Sequence, residues 1–318
     1  MNSWHTLLPD IGILSLSGKD AVRLLQGQAT CDILGLPPGQ TTLGALCTAK
    51  GRAYALFRAL RTEDRVFLLL PAELLEDARK RLTMYVLRAD VKIEDVSGQW
   101  AVFGLFGEQS DGALHALGLP SLSQDNEAEG QSGLVASFYA IRIPDPDWPR
   151  VLVLADAAKA GGVSRFLESH GLERTSASRW VLEDIRTGIP SLSAATVNEF
   201  VPQMLNLELL GGVSFTKGCY TGQEIVARTH YLGQLKRRMF RLTGSGYPVP
   251  LAGEAVFRQG EPQAAGMVVS CAETPEGGFE LLAVLNETAV EEAGIQLKAA
   301  NGQALTLASL PYSLPNAG

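Results

Sequence analysis

From about residue 236 the chain changes texture, and that change limits the architectures open to it. Six short β-type runs follow one another there: Met239–Leu242, Glu254–Phe257, Gly266–Ser270, Phe279–Leu285, Ile295–Lys298 and Leu305–Leu310, separated by Gly and Pro turns. Strands this short and this evenly spaced must pair with each other, which predicts a small β-barrel or sandwich. Upstream, strands and helices alternate. Ile11–Leu16 reads as a strand, and Ala21, Val22, Leu24 and Leu25 stand at helical spacing behind it. Thr41–Thr48 and Ala53–Leu60 flank the turn Ala49-Lys-Gly-Arg52 as a hairpin. Then come a strand at Val66–Leu70, a helix over Ala72–Leu87, strands at Val91–Val96 and Trp100–Phe106, a helix at Gln109–Leu117 and a strand at Ser137–Ile143. The order β-α-β-β-α-β from about 65 to 143 predicts a ferredoxin-like unit, interrupted by a polar loop at 120–133. A strand at Val151–Ala155 and helices to about His170 and over Ser178–Thr187 complete the upstream part.

A chain of 318 residues exceeds one core, so two or three domains are expected. The net charge of −7 excludes bulk attraction to nucleic acid; any phosphate or polyanion site must be a local patch. The N-terminus has no basic-then-apolar signal pattern, and the most apolar runs are strand-sized, so a cytoplasmic protein without membrane contact is expected. The four cysteines, at 31, 47, 219 and 271, form no Cys-x-x-Cys, and no two of the four histidines share helical spacing, so free thiols and no metal site are expected.

The segment Phe215-Thr-Lys-Gly-Cys-Tyr-Thr-Gly-Gln-Glu-Ile-Val-Ala-Arg228 concentrates the chemistry. Gly218 and Gly222 bracket Cys219, and Gln223–Arg228 reads as the opening of a helix. A thiol before a helix N-terminus meets backbone N–H groups and a positive dipole end; Lys217 adds a cation two residues away. Both favour the thiolate. A free cysteine is more often a small buried hydrophobe, the reading that suits Cys31, Cys47 and Cys271 in or beside apolar runs. The basic cluster Arg228, His230, Lys236, Arg237, Arg238 and Arg241 reads first as a solvated face, and second as a contact for a polyglutamate tail, a phosphate or an acidic partner. Tyr220 and Tyr231 stand near it as candidates to stack on a ring. Gln26, Gln28, Thr30 and Asp32 share one loop and either line a cavity or cap the next element.

Lys217-Gly-Cys-Tyr-Thr-Gly-Gln-Glu224 resembles the signature octapeptide of the YgfZ family. The likeness extends to Phe200–Leu207, Gly211–Phe215, Ile225–Arg228, Leu25–Asp32 and Lys50–Arg52. It implies a relative of the glycine-cleavage T-protein, an aminomethyltransferase: an α+β chain with three domains in a ring, a tetrahydrofolate site at the centre, and domain boundaries near 1–48 plus 145–235, 49–144 and 236–318. It implies support of iron–sulfur cluster assembly or repair, including enzymes that thiomethylate tRNA, with Cys219 as reactive thiol and Lys217 beside it. Folate and iron–sulfur enzymes or assembly proteins are the implied partners. Folate contacts are implied at Glu183, Arg186, Tyr220, Gln223, Glu224 and Arg228, with Gly218, Gly222, Gln28, Thr30 and Asp32 as further motif positions.

Two departures shape the carry-over. Where aminomethyltransferases carry an Asp-Asp pair, this chain reads Gly51-Arg-Ala-Tyr-Ala-Leu-Phe57, which argues against glycine cleavage itself. Where many relatives read Glu-Ala-Gly-Ile-Pro, it reads Arg186-Thr-Gly-Ile-Pro190; a carboxylate accepts from a pterin edge and a guanidinium only donates, so Glu183 or Asp184 would have to substitute. The alternative is a tetrahydrofolate-dependent one-carbon transferase acting on a small amine. Direct tRNA binding is not expected from the overall charge.

Overall fold

The computed structural model describes residues 3–119, 122, 125–132, 137–231, 235–246, 248–291, 294–297 and 302–315. In chain order its elements begin with β1 (Trp4–Leu7), β2 (Ile11–Ser17), α1 (Ala21–Gln26), β3 (Gln40–Cys47), β4 (Ala53–Arg61), β5 (Arg65–Pro71), α2 (Ala72–Thr83), β6 (Lys92–Asp95), β7 (Trp100–Phe106) and α3 (Gln109–Ala116). They continue with β8 (Ala128–Ser132), β9 (Ser137–Ile143), β10 (Arg150–Asp156), α4 (Ala160–Ser169), β11 (Glu173–Arg174), α5 (Ala177–Arg186) and α6 (Gln223–Tyr231). The last are β12 (Arg237–Gly244), β13 (Ala255–Arg258), β14 (Ala264–Glu273), β15 (Phe279–Asn286), α7 (Glu287–Glu291), β16 (Ile295–Leu297) and β17 (Leu305–Ala308). The chain divides into two compact units: Met1–Gln26, Asp32–Thr42 and Phe57–Trp180 form one, and Gly27–Cys31, Leu43–Leu56 and Val181–Gly318 the other.

In the first unit, α2 buries Leu74, Leu75, Ala78 and Leu82, the stripe its 3.6-residue period dictates. The helix stops at Thr83 rather than running to Leu87, because nothing past Leu82 continues the stripe: Met84, Tyr85 and Leu87 face outward. The order β-α-β-β-α-β is present with one strand added, β8, which pairs with β9 in part of the stretch expected as a loop at 120–133. Its strands are divided between two sheets among the described residues, β3-β4-β5-β2-β6 and β11-β1-β7-β10-β9-β8. Each sheet holds a split βαβ. Strand β2 lies antiparallel between β5 and β6, and β10 lies antiparallel between β7 and β9. The inserted strands come from outside the 65–143 segment. One core collects Phe103, Leu105, Leu114, Val151, Val153 and Leu167. On the opposite face of β10 Arg150 is fully buried, its guanidinium 4.3 Å over the Trp180 ring.

The second unit contains the C-terminal sheet, order β16-β13-β14-β15-β12-β17. All six strands anticipated after residue 236 are present. The sheet curls until its edges touch, with a bridge from Gln296 to Ala304 and Leu297 N donating to Gln303 O at 2.9 Å. Leu242, Val256, Val268, Phe279, Leu281 and Leu285 fill the inside of the curl. No helix among the described residues is long and apolar enough to cross a membrane.

Candidate functional site

The Cys219 segment is held by two pieces of chain from far upstream, both within the second unit. Gly27–Cys31 runs antiparallel to the end of β3, with a bridge between Ala29 and Leu46. Thr30 is wholly buried: its Oγ1 donates to Gly212 O at 2.6 Å and accepts from Ala45 N at 2.9 Å, while its carbonyl accepts from Ser214 N at 2.9 Å. Three residues later the Lys217 ammonium, also buried, donates to Ala29 O at 2.6 Å and Cys31 O at 2.8 Å and lies 5.0 Å above the Tyr220 ring. Thr221 closes the clamp, its hydroxyl donating to Gln28 Oε1 at 3.0 Å.

The second piece is the turn of the β3–β4 hairpin. Gly222 has φ +84° and Gly51 has φ +71°, a region where a side chain is strained. A Cβ on Gly222 would also come 2.5 Å from Thr48 O and 3.0 Å from the Gly51 Cα, so the two backbones touch only because both residues are glycine. Arg52 braces the same turn by donating to Asn198 O at 3.3 Å and to Glu199 O. Gly218 differs. A Cβ there would meet nothing within 4 Å, so the space beside Cys219 is open.

Between these anchors Cys219 is exposed, four residues before α6 begins at Gln223. Cys31 and Cys47 are buried and Cys271 is half-buried. Burial pushes the thiols of Cys47 and Cys271 up to about 12, so neither carries charge near neutrality. Burial likewise raises the Tyr220 hydroxyl, with the Cys47 and Cys31 thiols adding to the shift. Brief iodoacetamide treatment at pH 8 is therefore expected to modify Cys219 and to leave the other three for the denatured chain, as read by peptide mass spectrometry. Rapid native labelling of Cys47 would contradict this burial.

The other anticipated site residues fall into three sets. Lys217, Thr30 and Gln28 serve the clamp, so the Lys217 charge is taken up by the upstream carbonyls of Ala29 and Cys31. Asp32 belongs to the first unit, where its Oδ1 accepts from Gln26 Nε2 at 2.9 Å and Gly35 N at 3.2 Å, the local capping role. Glu183 and Arg186 join a buried ion network. Arg186 lies 3.3 Å from Glu183 Oε1 and donates through Nε and Nη2 to Glu280 Oε1 at 3.0 and 2.9 Å, while Arg241 grips Glu280 Oε2 at 2.6 and 2.8 Å. Gln223 is half-buried, and Glu224 and Arg228 are exposed on α6.

Glu280 is the member that sequence reasoning missed. Its signal is a lone acid inside the apolar strand Phe279-Glu-Leu-Leu-Ala-Val-Leu285. A pterin edge needs a carboxylate, and at position 186 there is a guanidinium already bonded to two acids. Arg186, a donor, does not fit the pterin grip that the T-protein likeness implies. No group of three or more His, Cys, Asp or Glu among the described residues is placed to hold a metal ion.

Comparison with known proteins agrees with this architecture. The model of the GCVT N-terminal domain matches residues 10–129. The tRNA-modifying protein YgfZ of Vibrio atlanticus is 31% identical over 313 residues, covering 97% of this chain and 92% of that one. Its counterpart from Edwardsiella ictaluri is 35% identical over 303 residues, covering 94% and 89%. The crystal structure of the glycine cleavage system aminomethyltransferase T from Bartonella henselae superposes with a TM-score of 0.80 at 16% identity, over 98% of this chain and 86% of that chain, a likeness of fold. With sequence identity at this level spanning nearly the whole of both chains, the protein belongs to the YgfZ family.

Proposed function

We propose that this protein is a non-classical accessory factor for tRNA modification, presenting the Cys219 thiol during the assembly or repair of iron–sulfur enzymes in the cytoplasm. The observation that carries the reading is the contrast among the cysteines. Two are sealed in the interior and a third is half-buried, whereas Cys219 stands exposed on a loop fixed at both ends and open on the Gly218 side. An exposed sulfur on a rigid support offers one soft ligand for iron, or one acceptor for a sulfur species. The tRNA-modifying relatives and the T-protein fold support the setting. The T-protein-like fold supports tetrahydrofolate as the cofactor class, while Arg186 does not fit a pterin grip.

One-carbon transfer draws less support. Gly51–Phe57 carries no acid, and Glu183 is bonded to Arg186. The test is complementation of a null strain, with thiomethylated tRNA nucleosides measured by mass spectrometry. Cys219→Ser and Cys219→Ala are expected to abolish rescue while leaving stability within about 0.5 kcal/mol, as for other exposed positions. Full rescue by the alanine variant would end the thiol reading.

A further inference from the structure

Between Ile225 and Gly253 the chain contains no aspartate or glutamate, although the whole sequence has 34 acids against 27 bases. The same stretch holds Arg228, Lys236, Arg237, Arg238 and Arg241. Two of these are spent internally: Arg238 is buried against Glu208 at 2.8 Å and Glu287 at 3.7 Å, and Arg241 grips Glu280. Arg228, Lys236 and Arg237 are exposed, Arg237 leaning on Asn286. The acid nearest in sequence on the α6 side is Glu224, exposed one turn before Arg228.

Aromatic rings interleave with these cations. His230 lies flat on Phe215, centroids 3.7 Å apart and planes 13° from parallel. Tyr231 packs edge-on against both, at 6.2 Å from Phe215 and 4.8 Å from His230, and keeps 65% of its surface open. Neighbouring rings steady the tyrosine while its own face stays free. Tyr231 and Lys236 are five positions apart, so their Cα atoms lie at most ~18 Å from each other. That is the reach of a few nucleotides.

From this juxtaposition we infer that the end of α6 and the start of β12 form a binding surface for a single-stranded polynucleotide. Unpaired bases stack on the Tyr231 and His230 rings, and phosphates lie against Arg228, Lys236 and Arg237. Single strands suit the surface because their base faces are free, whereas paired bases hide theirs. A polyglutamate tail would use the cations and have no ring to place on Tyr231. The inference departs from the expectation drawn from the net charge: at physiological salt charge is screened beyond about 8 Å, so the local cations decide. It is independent of the thiol reading.

The experiment is fluorescence anisotropy of the full chain with labelled, unstructured RNA and DNA oligonucleotides of one sequence, across a salt series and with polyglutamate as competitor. Tyr231→Ala is expected to weaken binding roughly tenfold. The triple variant Arg228→Gln, Lys236→Gln, Arg237→Gln is expected to flatten the salt slope by about 2, roughly 0.7 per lost phosphate contact. Circular dichroism and melting confirm that both variants fold. Binding of either strand type with this Tyr231 dependence upholds the surface, and the RNA and DNA arms say which strand it takes. Absent binding at low salt, indifference to Tyr231→Ala, or displacement by polyglutamate residue for residue would overturn it. Cys219→Ser should bind as the parent does, so a failure here and a failure of the thiol reading remain distinguishable.

Discussion

Glu280→Ala is expected to destabilise the protein by about 4 kcal/mol, read as a lower urea midpoint. The carboxylate is 5% exposed and carries two bidentate grips, Arg186 on Oε1 and Arg241 on Oε2. Breaking a buried pair costs more than the pair contributes, because the partner charge stays behind without its counter-ion. Here two guanidinium groups would be left. Arg186 keeps Glu183 at 3.3 Å and Arg241 keeps Ser309 O at 3.1 Å, which holds the loss near the single-pair range. Glu280→Gln preserves shape and one acceptor, and should fall roughly midway. Equal stability of the alanine variant and the parent would show that Arg186 does not depend on this acid.

Lys217→Met is expected to cost about 3 kcal/mol, with thermal melting as the measurement. Methionine keeps the length and the apolar stem and removes the donor, so the carbonyls of Ala29 and Cys31 lose bonds of 2.6 and 2.8 Å. Each orphaned buried acceptor costs about 1–3 kcal/mol, and the contact with the Tyr220 ring adds a smaller loss. Relief of burying an ammonium offsets part of this. The loosened clamp should also change the labelling rate of Cys219. A loss below about 1 kcal/mol with unchanged labelling would mean that the ammonium does not hold the loop.

Local periodicity made much of the fold legible. The α2 stripe of Leu74, Leu75, Ala78 and Leu82 and the six C-terminal strands follow from spacing that each segment carries by itself. Pairing does not. Nothing within Arg65–Asp95 announces that β2 lies between β5 and β6, since partner choice depends on residues far away in sequence. The candidate site divides the same way. The α6 start at Gln223 was readable from the motif. The direction of the Lys217 ammonium was not: proximity in sequence suggested Cys219, while its acceptors lie 188 and 186 residues upstream. Arg186 posed a similar problem, since its strongest partner, Glu280, sits 94 residues later.

The discontinuity of the second unit bears on biogenesis. Residues Gly27–Cys31 and Leu43–Leu56 leave the ribosome long before Lys217 and Gly222, with which they pack. At 5–20 residues per second the wait is on the order of ten seconds. Throughout that interval the nascent strand from Ala53 to Leu56, buried in the finished molecule, has its hairpin neighbour β3 but lacks the later segment whose Asn198 and Phe200 bond Ala53, so that side waits for a chaperone or an early non-native contact. A fragment starting at Val181 would lack those mates altogether, so the half that bears Cys219 cannot be shuffled between genes as a free-standing module.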